Sequence, residues 1–487
     1  MSRTVGWMLS VAAFAVVVCV IVVAGLAVNA NRVTVADAPQ VPGVAAPLGP
    51  AGVAQGLDDG PSSAPSADES ELAAQVAAVM DGAAGDPALG ELTAIVSSAA
   101  SGATLWEQGA GQPTRPASSL KILTAAAALL QLDHDKTVTT RVVRYPGQDG
   151  VVLVGAGDPT LSVDGAGFYP GSASIAELAE GVRASLGSGE AAGQAGESGP
   201  AAPAVPSTVY VDRSLFRVTF HSTWDREGIQ AGYIAPVEPV MVDGARLALD
   251  REDARRTPDP AAGAGQALAA ALGGAKVEVL APEESSSQKF GGGNGAEPEV
   301  LASVESAPLS ERVHQMMTKS DNVLAESLAR EVAIDRGLAP DFAGAAKAVA
   351  DTLAEHGLGL ETSGSSAANL ADSSGLSVDD RVTPAQLDRV LLAAAGDGDT
   401  AAALRPLLDS MPVGGVSGTL AGRYAGSGGA GWVRAKTGTL DGTSALAGYT
   451  VTKGGDVLTF VLLSNDASLL PARAAADATA AKLRDIS

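Results

Sequence analysis

The chain has 487 residues, of which 32 are basic and 55 acidic, for a formal net charge of −23. That balance, with no Lys/Arg-rich run, argues against nucleic acid as a partner, and the length allows two or three domains. Aromatic residues make up only 3%, so the cores must be built from Ala, Val and Leu.

The N-terminus is a targeting segment. Arg3 precedes an uncharged apolar stretch from Trp7 to Val28 in which Ser10 is the only polar side chain. It is long enough to span a bilayer and long for the core of a signal peptide. Residues 1–32 are therefore read as a membrane span that anchors an extracytoplasmic protein. Val28-Asn29-Ala30 leaves open the alternative of cleavage and secretion. Cys19, the only cysteine, lies inside this stretch, so the exported part has no disulfide. Residues 33–70, rich in Pro, Gly and Ala, read as a linker that cannot build a core.

An Ala-rich helix is expected from about Glu71. A hairpin follows, with strands at Leu92–Val96 and Thr104–Trp106 and a turn near Ser101-Gly102. Ser118-Ser119-Leu120-Lys121 comes next and opens a run of strong helix formers to Leu130. Residues i and i+3 share a helix face, so Ser118 and Lys121 can touch while Ser119 and Lys121 cannot. A serine hydroxyl is a weak nucleophile until a base takes its proton. A lysine is such a base only if burial or a nearby cation lowers its pKa. A second S-x-x-K, Ser286 to Lys289, lies in a Ser/Gly-rich stretch with no apolar helix behind it and is read as a decoy.

The stretch between Ser118 and Ser320 is longer than a few helices require. Residues 137–305 carry short Val-containing strands, such as Arg141–Tyr145, Val151–Gly155 and Val209–Val211, separated by Gly/Pro turns. They are read as an inserted, mainly β region in which 186–206 and 283–298 are loose tracts. Helical patterning returns at Glu311–Lys319 and resumes after Asn322, placing Ser320-Asp321-Asn322 at a helix–helix junction. Strands are expected at Trp432–Thr437, which carries Lys436-Thr437-Gly438, at Ala445–Val451 and at Val457–Leu463, with a closing helix at 469–484. The four histidines show no metal-ligand spacing, and no metal or cofactor is expected. The two N-terminal and three C-terminal strands are expected to make one antiparallel sheet flanked by helices, an α+β arrangement that would bring Lys436 to Ser118.

S-x-x-K, S-D-N and K-T-G in this order are the signature of penicillin-binding proteins and class A β-lactamases. The chain resembles, more narrowly, the class C type 4 penicillin-binding proteins, a family of D-alanyl-D-alanine carboxypeptidases and endopeptidases. Pro116-Ala117-Ser118-Ser119-Leu120-Lys121 is similar to its P-A-S-x-x-K, and Gly155-Ala156-Gly157-Asp158-Pro159-Thr160-Leu161 to its G-x-G-D-P-T-L. Val211-Asp212-Arg213-Ser214-Leu215-Phe216 with Trp224 is similar to its D-x-S-x-F…W segment. Asp372–Ser377, Met411–Gly415 through Leu420, and Lys436-Thr437-Gly438-Thr439-Leu440 complete the pattern, with Met411 where the family has Leu. The resemblance runs from about residue 75 to the C-terminus.

It implies a penicillin-binding/β-lactamase-like domain from residues 71–136 and 306–487, a five-stranded antiparallel sheet flanked by helices, interrupted by the 137–305 insertion. Ser118 would attack the peptide carbonyl of a D-Ala-D-Ala terminus, or of a D-Ala-diaminopimelate cross-link, in peptidoglycan stem peptides. Lys121 would be general base, and Ser320 with Lys436 would return a proton to the leaving amine. Asn322 would bind the donor amide, and the Lys436-Thr437-Gly438-Thr439 strand the terminal carboxylate, through Thr437 and Thr439. Backbone N–H groups of Ser118 and Thr439 would form the oxyanion hole, and β-lactam antibiotics would acylate Ser118. Asp212 and Phe216 match a segment that contacts the substrate's side-chain amine in relatives; a strand end that packs Phe216 is the structural alternative. A β-lactamase normally adds an E-x-x-L-N motif, and no Leu-Asn dipeptide occurs in this chain. A non-catalytic wall scaffold would not need all three motifs intact.

Overall fold

The computed structural model describes residues 67–190, 205–291, 297–360 and 367–487. The expected span or signal at 1–32, the linker up to residue 66 and most of the 186–206 tract lie outside the described residues. Among the described residues no helix is long and apolar enough to cross a membrane.

Helix α1 (Ala67–Ala84) leads into the hairpin β1 (Glu91–Ser98) and β2 (Thr104–Gln108). A 3₁₀ turn, Ala117–Leu120, runs into α2 (Lys121–Gln131). Then come β3 (Thr139–Arg144), β4 (Val151–Val154), β5 (Asp158–Leu161), α3 (Ile175–Glu190), β6 (Thr208–Asp212) and β7 (Val240–Val242). They are followed by α4 (Pro260–Ala271), β8 (Lys276–Val279) and β9 (Glu299–Glu305). Helices α5 (Leu309–Lys319), α6 (Asn322–Asp335), α7 (Phe342–Glu355), α8 (Pro384–Ala395) and α9 (Asp399–Asp409) precede β10 (Arg434–Leu440), β11 (Thr443–Val451), β12 (Val457–Asn465) and α10 (Leu469–Arg484).

Both ends of the chain build one sheet, in the order β10-β11-β12-β1-β2, with every neighbouring pair antiparallel. Its central strands are buried on both faces, and strand alternation divides them between two cores. Ile95, Val461 and Leu463 pack with α2, α6 and α8 on the inner face, whereas Ala94, Val96, Phe460 and Leu462 pack with α1 and α10 on the outer one. Strand β10 is an edge strand, and this leaves its free side available to the site.

The inserted region holds a second five-stranded sheet, β8-β6-β4-β3-β9. Its pairs β4–β6 and β6–β8 are parallel. A parallel pair needs a crossover, and α3 and α4 supply the two crossovers, packing Leu178, Val182, Ala264 and Leu268 on Leu153, Val209 and Val211. The strand pattern of this region was legible in the chain, but these crossover helices were not, because both are short of large apolar side chains.

Candidate active site

The site begins with an unfavourable backbone. Ala117 has φ +47°, a left-handed conformation that an L-residue adopts only under tertiary constraint. Two glycines provide that constraint. A Cβ on Gly375 would lie 2.0 Å from the Ala117 carbonyl oxygen, and one on Gly438 would lie 2.8 Å from the Pro116 carbonyl oxygen. The Asp372–Ser377 loop and β10 thus press on the turn that carries Ser118, which explains the glycine in each of those motifs. Ser119 is buried and its hydroxyl donates to the Pro116 carbonyl at 2.7 Å. Ser118 itself sits in the 3₁₀ turn rather than in the α-helix, which begins at Lys121. Such a turn still aligns i with i+3.

Lys121 is fully buried, and its Nζ donates to Ser118 Oγ at 2.9 Å, Asn322 Oδ1 at 2.6 Å and the Ser374 carbonyl at 2.6 Å. Burial lowers its pKa from 10.5 to about 8, against the opposing charges of Asp372 and Asp321. Lys436 is equally buried and donates from Nζ to Ser320 Oγ at 2.7 Å and to the Thr437 carbonyl at 2.8 Å. Burial, and then the charge of Lys121, holds its pKa well below the usual lysine range.

Ser320-Asp321-Asn322 forms the junction between α5 and α6. Ser320 caps α5 in the left-handed conformation (φ +56°), and Asp321 caps α6 by accepting the Leu324 N–H. The second oxygen of Asp321 accepts from Arg246 at 2.6 Å, Arg256 at 3.4 Å and Tyr169 Oη at 2.8 Å. Burial opposes that charge, but Arg256 and Arg246 overcome it and hold the carboxyl well below the usual range. Asn322 Nδ2 donates to the Tyr233 carbonyl at 2.9 Å. All four of these partners come from the inserted region, so the insertion holds the junction in place.

On β10 the amide of Ala435 points to the free edge and donates to the Pro412 carbonyl at 3.0 Å. The period of two along a strand sends the amides of Thr437 and Thr439 to the same edge. Thr437 Oγ1 donates to Thr419 Oγ1 at 2.8 Å, and Arg473 Nη2 donates to Thr439 Oγ1 at 3.3 Å. Ser118, Lys121, Ser320, Asn322, Lys436, Thr437, Gly438 and Thr439 thus converge on one site. The arrangement can deliver a serine hydroxyl with a lysine of lowered basicity beside it, and a second buried lysine through a second hydroxyl.

The side chains of Asp212 and Phe216 are engaged by other residues. The Asp212 carboxylate accepts from the Ser214 N–H and Oγ and from the Ser286 N–H. Phe216 is fully buried among Trp224, Ile234 and Val323, with the Arg330 guanidinium over its ring. Trp224 of the same segment donates to Asp372 at 2.8 Å, which ties it to the loop behind Lys121. In the decoy, Ser286 is buried and Lys289 pairs with Glu278 at 2.9 Å.

Sequence reasoning missed Thr419, the Tyr233 and Ser374 carbonyls, and Arg473. Thr419 lies in a G-T-L motif that the chain displayed; a backbone carbonyl leaves no signal in a sequence.

The fold and this site define a serine hydrolase of the penicillin-binding class. The chain belongs to the D-Ala-D-Ala carboxypeptidase 3 (S13) family, which matches residues 75–255 and 245–484; it is a serine-type D-Ala-D-Ala carboxypeptidase of peptidoglycan. It is 46% identical over 431 residues to carboxypeptidase DacB of Mycolicibacterium smegmatis, covering 87% of this chain and 85% of that one. It is 30% identical over 475 residues to a D-alanyl-D-alanine carboxypeptidase of Actinomadura sp. (strain R39), covering 85% of each. Penicillin-binding protein 4 of Haemophilus influenzae shares the fold, with a TM-score of 0.62 at 20% identity over 83% of this chain and 97% of that one.

Proposed function

We propose that Ser118 is the acylated residue and that the surrounding side chains divide the proton transfers between two lysines. Neutral Lys121 accepts the Ser118 hydroxyl proton as Oγ attacks the carbonyl of the penultimate D-Ala. The amides of Ser118 and Thr439 hold the oxyanion. Asn322 and the free edge of β10 align the donor peptide, and Thr437 and Thr439 take its terminal carboxylate. Lys436, through Ser320, passes a proton to the leaving nitrogen; D-Ala departs, and water hydrolyses the ester on Ser118. The same steps cleave a D-Ala-diaminopimelate cross-link, and a β-lactam follows the first half of the route and stays on Ser118. The observation that carries this reading is the 2.9 Å contact of Lys121 Nζ with Ser118 Oγ, with Asn322 on the same nitrogen.

The enzyme acts outside the cytoplasm, held to the membrane by Trp7–Val28 with residues 33–70 as a tether into the wall. N-terminal sequencing of the mature protein tests the anchor: an intact Arg3 supports it, and a start near Asn31 replaces it by a secreted enzyme. Incubation with purified peptidoglycan fragments, followed by product mass analysis, tests the activity. Loss of one alanine from pentapeptides, and scission of cross-linked dimers, are the expected results. Turnover of penicillin with no peptide product would favour a β-lactamase.

A further inference from the structure

Arg473 stands on the first turns of α10, on the outer side of β10, and the only side-chain hydrogen bond of its guanidinium among the described residues goes to a hydroxyl, Thr439 Oγ1 at 3.3 Å. It forms no ion pair among the described residues. The nearest acid on its own helix, Asp477, is taken in a two-pronged pair by Arg423, at 2.8 and 2.5 Å. Two guanidiniums therefore share one carboxylate and leave a net positive charge. Arg473 is half-buried, and burial followed by the charge of Arg423 lowers its pKa, the signature of a cation short of a counter-charge.

That surplus charge lies beside a row of hydroxyls. Thr439 touches Arg473, Thr437 touches Thr419, and both strand threonines lie on the face of β10 that packs toward α10. The 3.3 Å contact is long for a hydrogen bond, so an anion could take the guanidinium without the loss of a strong partner. A planar group with two oxygens and one negative charge fits a guanidinium fork and neighbouring hydroxyls. On the reading above, the leaving amino acid carries such a group next to these threonines.

We propose that Arg473 is a specificity-determining residue that pairs with the carboxylate of the leaving amino acid, so that the enzyme distinguishes a free carboxylate there from a carboxamide. The inference rests on the functional reading that Thr437 and Thr439 face this end of the substrate. It also sets a condition on cross-link cleavage: the carboxylate beside the scissile nitrogen must be free.

The test uses the full enzyme and two synthetic peptides that end in D-Ala-D-Ala, one as the free acid and one as the C-terminal carboxamide. Arg473→Met is expected to lower kcat/KM for the acid by roughly 10- to 100-fold, chiefly through KM, as befits loss of a charge-assisted hydrogen bond. It should leave the amide within about twofold, since a substitution outside the core has little general effect. Arg473→Lys should recover part of the preference, and the melting temperature should hold in both variants. An unchanged acid-to-amide ratio, or equal losses for both peptides, would overturn the role of Arg473 while the carboxypeptidase reading stands. Failure of the wild-type enzyme to cleave the acid would overturn both.

Discussion

Lys121 and Lys436 are both fully buried, each donates to a serine hydroxyl, and the charge of Lys121 lowers the proton affinity of Lys436. Two ammonium groups in one dry site are costly together, so the site favours a state in which one of them is neutral. That is the electrostatic condition for a lysine to serve as a base.

Ser118→Ala should abolish covalent labelling by a fluorescent penicillin. Ser119→Ala and Ser286→Ala should retain it, because Ser119 donates to Pro116 and Ser286 lies against Asp212 and Tyr145. Ser119→Ala loses a buried hydrogen bond and should cost about 1 kcal/mol in urea unfolding. Labelling that survives Ser118→Ala would place the nucleophile elsewhere.

Lys436→Ala should reduce the acylation rate on the order of 10²–10⁴-fold. Lys436 donates to Ser320 and to the strand itself, so a modest loss of stability accompanies the change. Stopped-flow acylation of the variant near the wild-type rate would remove Lys436 from the proton path.

The rate of acylation should rise with pH through about 8. Below that value Lys121 is an ammonium and cannot accept the serine proton; above it the neutral amine can. A profile measured between pH 6 and 9.5 that is flat would show that another group is the base.

Glu326 lies one turn after Asn322 on α6 and accepts the Ser373 N–H at 3.0 Å, behind the Ser374 carbonyl that holds Lys121. Burial, and then the charge of Asp372, raises its pKa from 4.5 to about 8. The folded protein therefore keeps a proton that the unfolded chain releases above 4.5. Its stability contribution is intact below that pH and is lost as pH rises toward 8. Glu326→Gln keeps the acceptor without the titration, so its melting temperature should match the wild type near pH 5 and exceed it by pH 9. Parallel curves would show that Glu326 is ionised in the fold.

Asp321→Ala should destabilise the protein by about 3–5 kcal/mol, because it leaves Arg246 and Arg256 buried without their counter-charge. Acylation should fall as well, since the residue caps α6 beside Ser320 and Asn322. Urea unfolding within about 1 kcal/mol of the wild type would show that the arginines find other partners.

The amino-acid sequence by itself determined the family, the three motifs, the strands of the main sheet and the pairing of Ser118 with Lys121. Each rests on spacing within a few residues, where helix and strand geometry act directly. The junction at Ser320 was visible for the same reason, as a break between two helical patterns. Only the tertiary structure decided that Asp321 is locked by Arg246 and Arg256, that the Ser374 and Tyr233 carbonyls complete the settings of Lys121 and Asn322, and that Ala117 is held left-handed by Gly375 and Gly438. It also withdrew Phe216 into a core and set Arg473 beside Thr439. These contacts join segments far apart in the chain through backbone atoms or common residue types, so no local pattern carries them until the sheet and the insertion bring the segments together.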